Sequence, residues 1–162
     1  MKRIPISGNR GFGLFTIVDD EDFRWASQFC WNFSGGYARH GFRQDGKIKT
    51  VLLHHLILGR PPVGFEVDHV NGNRLDNRKE NLRFATSAEN KHNRGFTREK
   101  TSSQYKGVCW NKRIEKWQAQ IRIANKQFHL GLFTSELEAA VAYDKAAQKC
   151  FGRFAKLNFP LT

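Results

Sequence analysis

Apolar and β-branched residues cluster at residues 2–5 and 12–18, and both stretches predict strands. Asp19, Asp20, Glu21 and Asp22 follow at once. Acidic side chains suit a helix N-terminus, where they cap amides and oppose the dipole, so a short helix is expected over about 20–28. Its bulky residues, Phe23, Trp25 and Phe29, are assigned to a core. Residues 37–42 and 48–53 flank Gln44-Asp45-Gly46 and predict a hairpin. The stretch 52–58 is apolar around His54 and His55 and stops at Gly59, ahead of Pro61-Pro62. A strand end is expected at Glu66-Val67-Asp68-His69, leading into a loop dense in Asn and Gly, then Asn81-Leu82-Arg83-Phe84-Ala85. Thr86 and Glu89 have the spacing of a capping box and announce a helix over roughly 87–93.

Residues 95–104 are polar, rich in Arg, Lys, Thr and Ser, and predict a linker between a first domain at 1–94 and a second at 105–160. Past the linker the period changes to two. Residues 105–112, 117–123 and 128–133 predict three strands joined by tight turns at 113–116 and 124–127. Ser135 and Glu138 repeat the capping-box spacing and open a helix to about residue 151, with Gly152 as its terminator. On the second strand Trp117, Ala119, Ile121 and Ile123 share one face, and Gln118, Gln120 and Arg122 share the other. Ala139, Ala140, Ala142, Ala146 and Ala147 would let the helix lie close on the apolar face. The other face, lined with long hydrogen-bonding side chains, is expected to stay open. The fold class of the whole chain is α+β.

The chain has 162 residues, and hydrophobic types make up 40%, enough for folded cores and too much for disorder. Nothing approaches the roughly 18 apolar residues of a membrane span. The first ten residues lack the apolar region of a secretion signal. Cys30, Cys109 and Cys150 lie far apart, which excludes a thiolate zinc finger and a disulfide framework and fits a reducing cytoplasm. Against 15 Asp and Glu stand 27 Lys and Arg, a net charge of +12, so a polyanionic partner is expected and nucleic acid leads. Half of that excess, +6, falls in residues 101–162.

Chemistry concentrates in residues 68–90. Asp68 and His69 are adjacent at a strand end, so their side chains point in different directions. One carboxylate can bind a hard cation while the neighbouring imidazole faces a water. Asn90, in the following helix, could return a second oxygen to the same cation. An ion with few protein ligands keeps positions for water and phosphate oxygens. A neutral histidine beside it can take a proton from the attacking water near neutral pH. Asn71, Asn73 and Asn77 are read as turn formers.

Here the chain resembles the HNH nuclease family, in its phage and intron-type homing endonuclease branch. The resemblance runs from Ile4-Pro5, through Asp19-Asp20-Glu21-Asp22-Phe23, to His54-His55-Leu56-Ile57-Leu58-Gly59. It is densest at Val67-Asp68-His69-Val70-Asn71-Gly72-Asn73-Arg74-Leu75-Asp76-Asn77-Arg78, followed by Glu80-Asn81-Leu82-Arg83 and Glu89-Asn90. It implies a ββα-metal fold gripping one Mg²⁺ or Mn²⁺ per active site, with Asp68 and Asn90 as ligands and His69 as general base. Asn81 matches the middle Asn of the family name, which holds the loop and orients the histidine. Many members end with a His ligand, for which Asn90 is the homing-branch variant. The upstream motif usually reads His-Arg where this chain has His54-His55. The implied compartment is the cytoplasm of a bacterial or phage-infected cell, on DNA.

The second domain resembles the AP2 DNA-binding domain, known from plant transcription factors and also found attached to HNH nucleases. The matching residues are Tyr105-Lys106-Gly107-Val108, Lys116-Trp117, Ile121-Arg122, Leu130-Gly131, Phe133, Glu138-Ala139-Ala140, Ala142-Tyr143-Asp144, Ala146-Ala147, Gly152 and Asn158-Phe159-Pro160. By position, Lys106, Gly107, Gln120, Arg122 and His129 stand where that family contacts DNA, and Gln118 shares the open face. The plant pattern has arginines at Cys109 and Asn111 and a tryptophan at His129, so the plant target does not transfer. Together the two resemblances imply an endonuclease that acts on double-stranded DNA, by nicking or by double-strand cleavage. No membrane and no obligate protein partner are expected. The rival reading is a non-catalytic DNA-binding regulator with a degenerate nuclease half.

Overall fold

A computed structural model describes residues 1–95 and 102–160, and its contacts divide the chain into two compact units, Met1–Ala88 and Glu89–Thr162. Most of the expected linker, residues 96–101, lies outside the described residues. The architecture is mixed α+β in both halves.

In the first unit five strands form one sheet in the order β2-β1-β3-β4-β5: β1 (Lys2–Ser7), β2 (Phe15–Val18), β3 (Trp31–Ser34), β4 (Tyr37–Gln44) and β5 (Lys47–Leu52). Strand β3 was not foreseen. It pairs parallel to β1, Ile6 with Trp31, and antiparallel to β4. The hairpin β4–β5 closes on Asp45 (φ 52°) and Gly46 (φ 71°), the two left-handed residues a type I′ turn requires. Helix α1 (Asp20–Ala26) follows β2, but the acidic run does not cap it as expected. The Asp19 carboxylate instead accepts from the backbone N–H of Lys79 at 2.8 Å, and Asp20 pairs with the N-terminal amine at 2.7 Å. Both are contacts 19 to 60 residues away that a local pattern cannot show.

The core of this unit gathers Ile4, Ile6, Val18, Ala26, Trp31, Ala38 and Leu53, all buried. Trp31 is completely enclosed, and its indole N–H reaches the Ala26 carbonyl at 2.8 Å, so the polar edge of the ring costs nothing. Helix α2 (Leu53–Leu58) occupies the apolar stretch around His54 and His55. Strands β6 (Phe65–His69) and β7 (Leu82–Thr86) form a separate antiparallel pair in which Asp68 faces Arg83 and His69 faces Leu82. The helix α3 (Ser87–Asn93) follows β7 directly.

In the second unit β8 (Val108–Asn111), β9 (Lys116–Ile123) and β10 (Lys126–Phe133) form an antiparallel sheet with β9 in the centre. Helix α4 (Glu136–Phe151) packs its alanines against it: Ala139, Ala140 and Ala147 are fully buried beside Val108, Ala119 and Ile121. Ser135 precedes α4 but makes no side-chain cap bond. Glu136 is turned to the chain before β8, accepting from the Ser103 hydroxyl at 2.7 Å. Asp144, buried on α4, receives the backbone N–H groups of Asn158 and Phe159 at 2.8 Å each. Asn158 in turn exchanges bonds with the backbone of Lys106, accepting from its N–H at 2.7 Å and donating to its carbonyl at 3.1 Å. One buried carboxylate thus anchors the chain end, and through it the approach to β8.

Candidate functional site

The end of β6 carries Asp68 and His69 on opposite sides of the strand, both about 4% exposed. Asp68 is paired with Arg83 of the facing strand, whose guanidinium donates to Oδ2 from Nε at 2.8 Å and lies 2.7 Å away through Nη2. Burying a carboxylate without a partner is prohibitive, so the β6–β7 register that brings Arg83 across is what makes Asp68 tenable inside.

Between the two strands lies the Asn-rich loop, and its side chains build it. Asn71 Oδ1 accepts from the Asn73 N–H at 2.8 Å and Asn73 Oδ1 from the Leu75 N–H at 3.1 Å, the i to i+2 turns expected of them. Asn81 spans the loop base, donating from Nδ2 to the Asp76 carbonyl at 2.7 Å and accepting the Asn71 N–H on Oδ1 at 2.9 Å. Asp76 is braced by two bonds from Arg78 and one from Asn71, all within 2.8 Å. The bonds from Arg78 hold its carboxyl below the usual carboxylate range.

Asn77 does more than turn the chain. Its Oδ1 lies 3.1 Å from Nε2 of His69, and its Nδ2 donates to the Thr16 hydroxyl at 2.7 Å. The resemblance implies that Asn81 orients the histidine; the side-chain bond to Nε2 comes from Asn77. Nothing local in the sequence separates Asn77 from its neighbours, because its direction is set by β2: the Asn77 N–H reaches the Ile17 carbonyl, and the Ile17 N–H reaches the Leu75 carbonyl, each at 2.8 Å.

His69 sits in an aromatic group with His54 (ring centroids 5.2 Å apart) and Tyr37 (5.9 Å). Burial lowers the His69 pKa, which the Asn77 bond and the carboxylates of Asp68 and Asp76 partly restore, while Arg74 lowers it again. The ring is therefore neutral near pH 7, as a proton acceptor must be. Burial also pushes His54 down to about 3, with smaller contributions from His69 and His55.

That depressed value has a measurable consequence. The folded His54 refuses a proton that the unfolded chain accepts near 6.5, so its contribution to stability is complete above pH 6.5 and is lost as pH falls toward 3. At pH 5 the loss is about 2 kcal/mol. The groups facing it, His55, His69 and Tyr37, stay in place in His54→Phe, which keeps the ring volume and removes the titration. The fall in Tm between pH 7 and pH 5 should be smaller in that variant; an identical slope in both proteins would remove His54 as its source.

Among the described residues no three His, Cys, Asp or Glu side chains gather as a metal site. An ion here would rest on the Asp68 carboxylate, an amide oxygen and water. A carboxylate has about four lone-pair sites, so the Arg83 pair does not exhaust it. Hard oxygen donors of this kind fit Mg²⁺ or Mn²⁺ rather than zinc, which favours Cys and His. Asn90 lies on α3, in the second unit by contact.

In the second unit the open face of the sheet is set by register. Gln118 faces Cys109 on β8 and Leu132 on β10; Gln120 faces His129, and Arg122 faces Gln127. Arg122 and His129 are exposed, and the Gln127 amide donates to Gln120 Oε1 at 2.5 Å. Gln118 is half-buried and accepts from Asn111 at 3.4 Å. Gly107 has φ +77°, and a Cβ there would meet the Tyr143 ring at 2.0 Å, so no other residue fits between β9 and α4. Lys106 is turned inward: its ammonium donates to the carbonyls of His92 at 2.7 Å and Arg94 at 2.9 Å, closing the end of α3. Burial, with Lys156 nearby, pushes it down to about 8. Alongside, the His92 ring stacks on Phe151 at 3.8 Å.

Comparison with known proteins agrees with both halves. The HNH endonuclease family model matches residues 51–92 and the AP2 domain model matches residues 103–153. An uncharacterized HNH endonuclease of Acanthamoeba polyphaga mimivirus is 28% identical over 156 residues, 92% of this chain and 77% of its own length. Protein 3.8 of Escherichia phage T7 is 32% identical over 102 residues, 62% of this chain and 81% of its own. An APETALA2-like protein 2 of Oryza sativa is 44% identical over 61 residues, 38% of this chain and only 14% of its own length. The chain belongs to the HNH endonuclease family and carries an AP2 domain after the nuclease part. Both domain types bind DNA, which supports DNA as the partner. Among the described residues no helix is long and apolar enough to cross a membrane.

Proposed function

We propose that this chain is a site-recognising, divalent-metal-dependent DNA endonuclease of the homing type, active on double-stranded DNA in the cytoplasm of a bacterial or phage-infected cell. The observation that carries the reading is the His69 ring, buried and side-chain-bonded, next in sequence to the buried carboxylate of Asp68. Asp68 and Asn90 would hold one Mg²⁺ or Mn²⁺ in a ββα-metal arrangement. The bound ion would supply charge stabilisation at the phosphate and lower the pKa of water. His69 takes the proton of the attacking water, and Asn81 keeps the loop that carries it in shape.

The AP2 half delivers this centre to its site. Gln118, Gln120, Arg122 and His129 offer donors and acceptors on the open face of the sheet, with Lys106 and Gly107 immediately before β8 at its edge. A three-stranded sheet of this kind can enter the major groove, where Arg reads guanine and Gln reads adenine. The deciding experiment is relaxation of a supercoiled plasmid carrying the source genome's DNA, with and without Mg²⁺. Metal-dependent conversion supports the enzyme. Specific binding without conversion, in Mg²⁺ or Mn²⁺, would support the regulator in its place.

Arg122→Ala should cost more specificity than Lys112→Ala. Arg122 is exposed at the end of the Gln118–Gln120–Arg122 row and can reach base edges, where a bidentate contact discriminates by about 1–3 kcal/mol. A phosphate contact weakens all sequences alike. Selection from randomised DNA with each variant checks this, and an unchanged base preference for Arg122→Ala would move recognition elsewhere.

A further inference from the structure

We propose that Thr16 and Asn77 fix the tautomer of His69, placing its one proton on Nε2 and the lone pair on Nδ1, and are thereby positioning residues for the base. The role in catalysis rests on the nuclease reading above; the tautomer does not.

A chain of donors and acceptors runs from Leu75 to His69 and admits one orientation. The Thr16 hydroxyl lies 2.9 Å from the Leu75 carbonyl oxygen, a group that only accepts, so the single hydroxyl proton is committed there. The same hydroxyl oxygen lies 2.7 Å from the Asn77 amide and can then only accept, so Asn77 presents its NH₂ to Thr16. The amide oxygen of Asn77 is left facing His69 Nε2 at 3.1 Å, and an oxygen there requires an N–H. A neutral imidazole has one proton. With it on Nε2, Nδ1 is the basic nitrogen.

The chain is enclosed, since Thr16 and Asn77 have no exposed surface and His69 is 4% exposed, so water does not compete for these groups. It is also rigid. Leu75 accepts from both the Thr16 hydroxyl and the Ile17 N–H, and Asn77 returns its own N–H to Ile17, so strand and loop are stitched by two backbone bonds besides those of the relay. Reversing the Asn77 amide would put two oxygens 2.7 Å apart at Thr16 with no proton between them, and would offer Nε2 a donor. The ring would then carry its proton on Nδ1. Thr16, from a strand 53 residues upstream of the histidine, therefore controls which ring nitrogen is basic.

The test is a long-range ¹⁵N–¹H correlation spectrum of the full-length protein at pH 8, with the His69 signals assigned by their absence in His69→Ala. Wild type should show the Nε2–H tautomer. Thr16→Val, which keeps shape and loses the hydroxyl, should shift population to Nδ1–H and lower kcat about 10–100-fold at unchanged KM. Thr16→Ser should restore both. Asn77→Asp, whose oxygens accept from either side, should keep Nε2–H. An Nδ1–H wild type overturns the proposal on its own, whether or not any variant folds. A Thr16→Val protein with lower kcat but the wild-type tautomer makes Thr16 merely structural, and one with a shifted tautomer and normal kcat removes the catalytic link. A wild type that shows Nε2–H and never cleaves refutes the nuclease reading and leaves the tautomer assignment standing.

Discussion

His69→Ala should cut DNA about 10²–10⁴-fold more slowly than wild type while binding the same DNA nearly as tightly. The imidazole is proposed to act on water, and its ring is 4% exposed, so it offers DNA little contact surface. Removing it takes away a proton acceptor already neutral near pH 7, held from one side by Asn77 and flanked by Tyr37 and His54. The measurement is single-turnover cleavage of a fixed site at saturating Mg²⁺, paired with equilibrium binding in Ca²⁺. The substitution also opens a space beside two rings, so a thermal melt must accompany it. A folded His69→Ala protein with wild-type turnover would show that another group accepts the proton.

Much of the fold is local, and that part was legible. The Asp45-Gly46 pair fixes its hairpin because few residues accept two successive positive φ values. The alternation of β9 separates Ala119 and Ile121, which the structure buries under α4, from Arg122 and the two glutamines on the open face. What failed had partners far away in sequence. Strand β3 is four residues long and pairs parallel to β1, a match no hairpin signal announces. Asp19 and Ser135 have the chemistry of helix caps, but neither caps its helix; Asp19 found a backbone N–H 60 residues away. Asn77 looked like its neighbours Asn71 and Asn73, whose side chains bond within the loop. Its difference lies in Thr16, 61 residues upstream, and no spacing within the loop encodes that bond. The turns after Asp68 and His69 were readable because Asn71, Asn73 and Asn81 bond within the loop itself.

Asp68→Ala should abolish cleavage and also destabilise the first unit, and the two effects can be separated. Asp68 is the single charged ligand in the proposed ion site, so without it metal affinity should collapse and excess Mg²⁺ or Mn²⁺ should not restore activity. Its removal also leaves the Arg83 guanidinium, 14% exposed, without the carboxylate it faces across β6 and β7. Breaking a buried pair from one side costs about 3–5 kcal/mol. The double variant Asp68→Ala with Arg83→Met removes both charges and should recover most of the lost Tm, since an apolar pair in such a position is often neutral or better. Cleavage should stay absent in it. Asn90→Ala is the contrasting case: it removes a neutral oxygen, so activity should fall less and return in part at high Mn²⁺. A double variant that regains both stability and cleavage would show that Asp68 serves the fold alone. Equal losses in Asp68→Ala and Asn90→Ala, with no rescue by metal in either, would count against an ion shared between them.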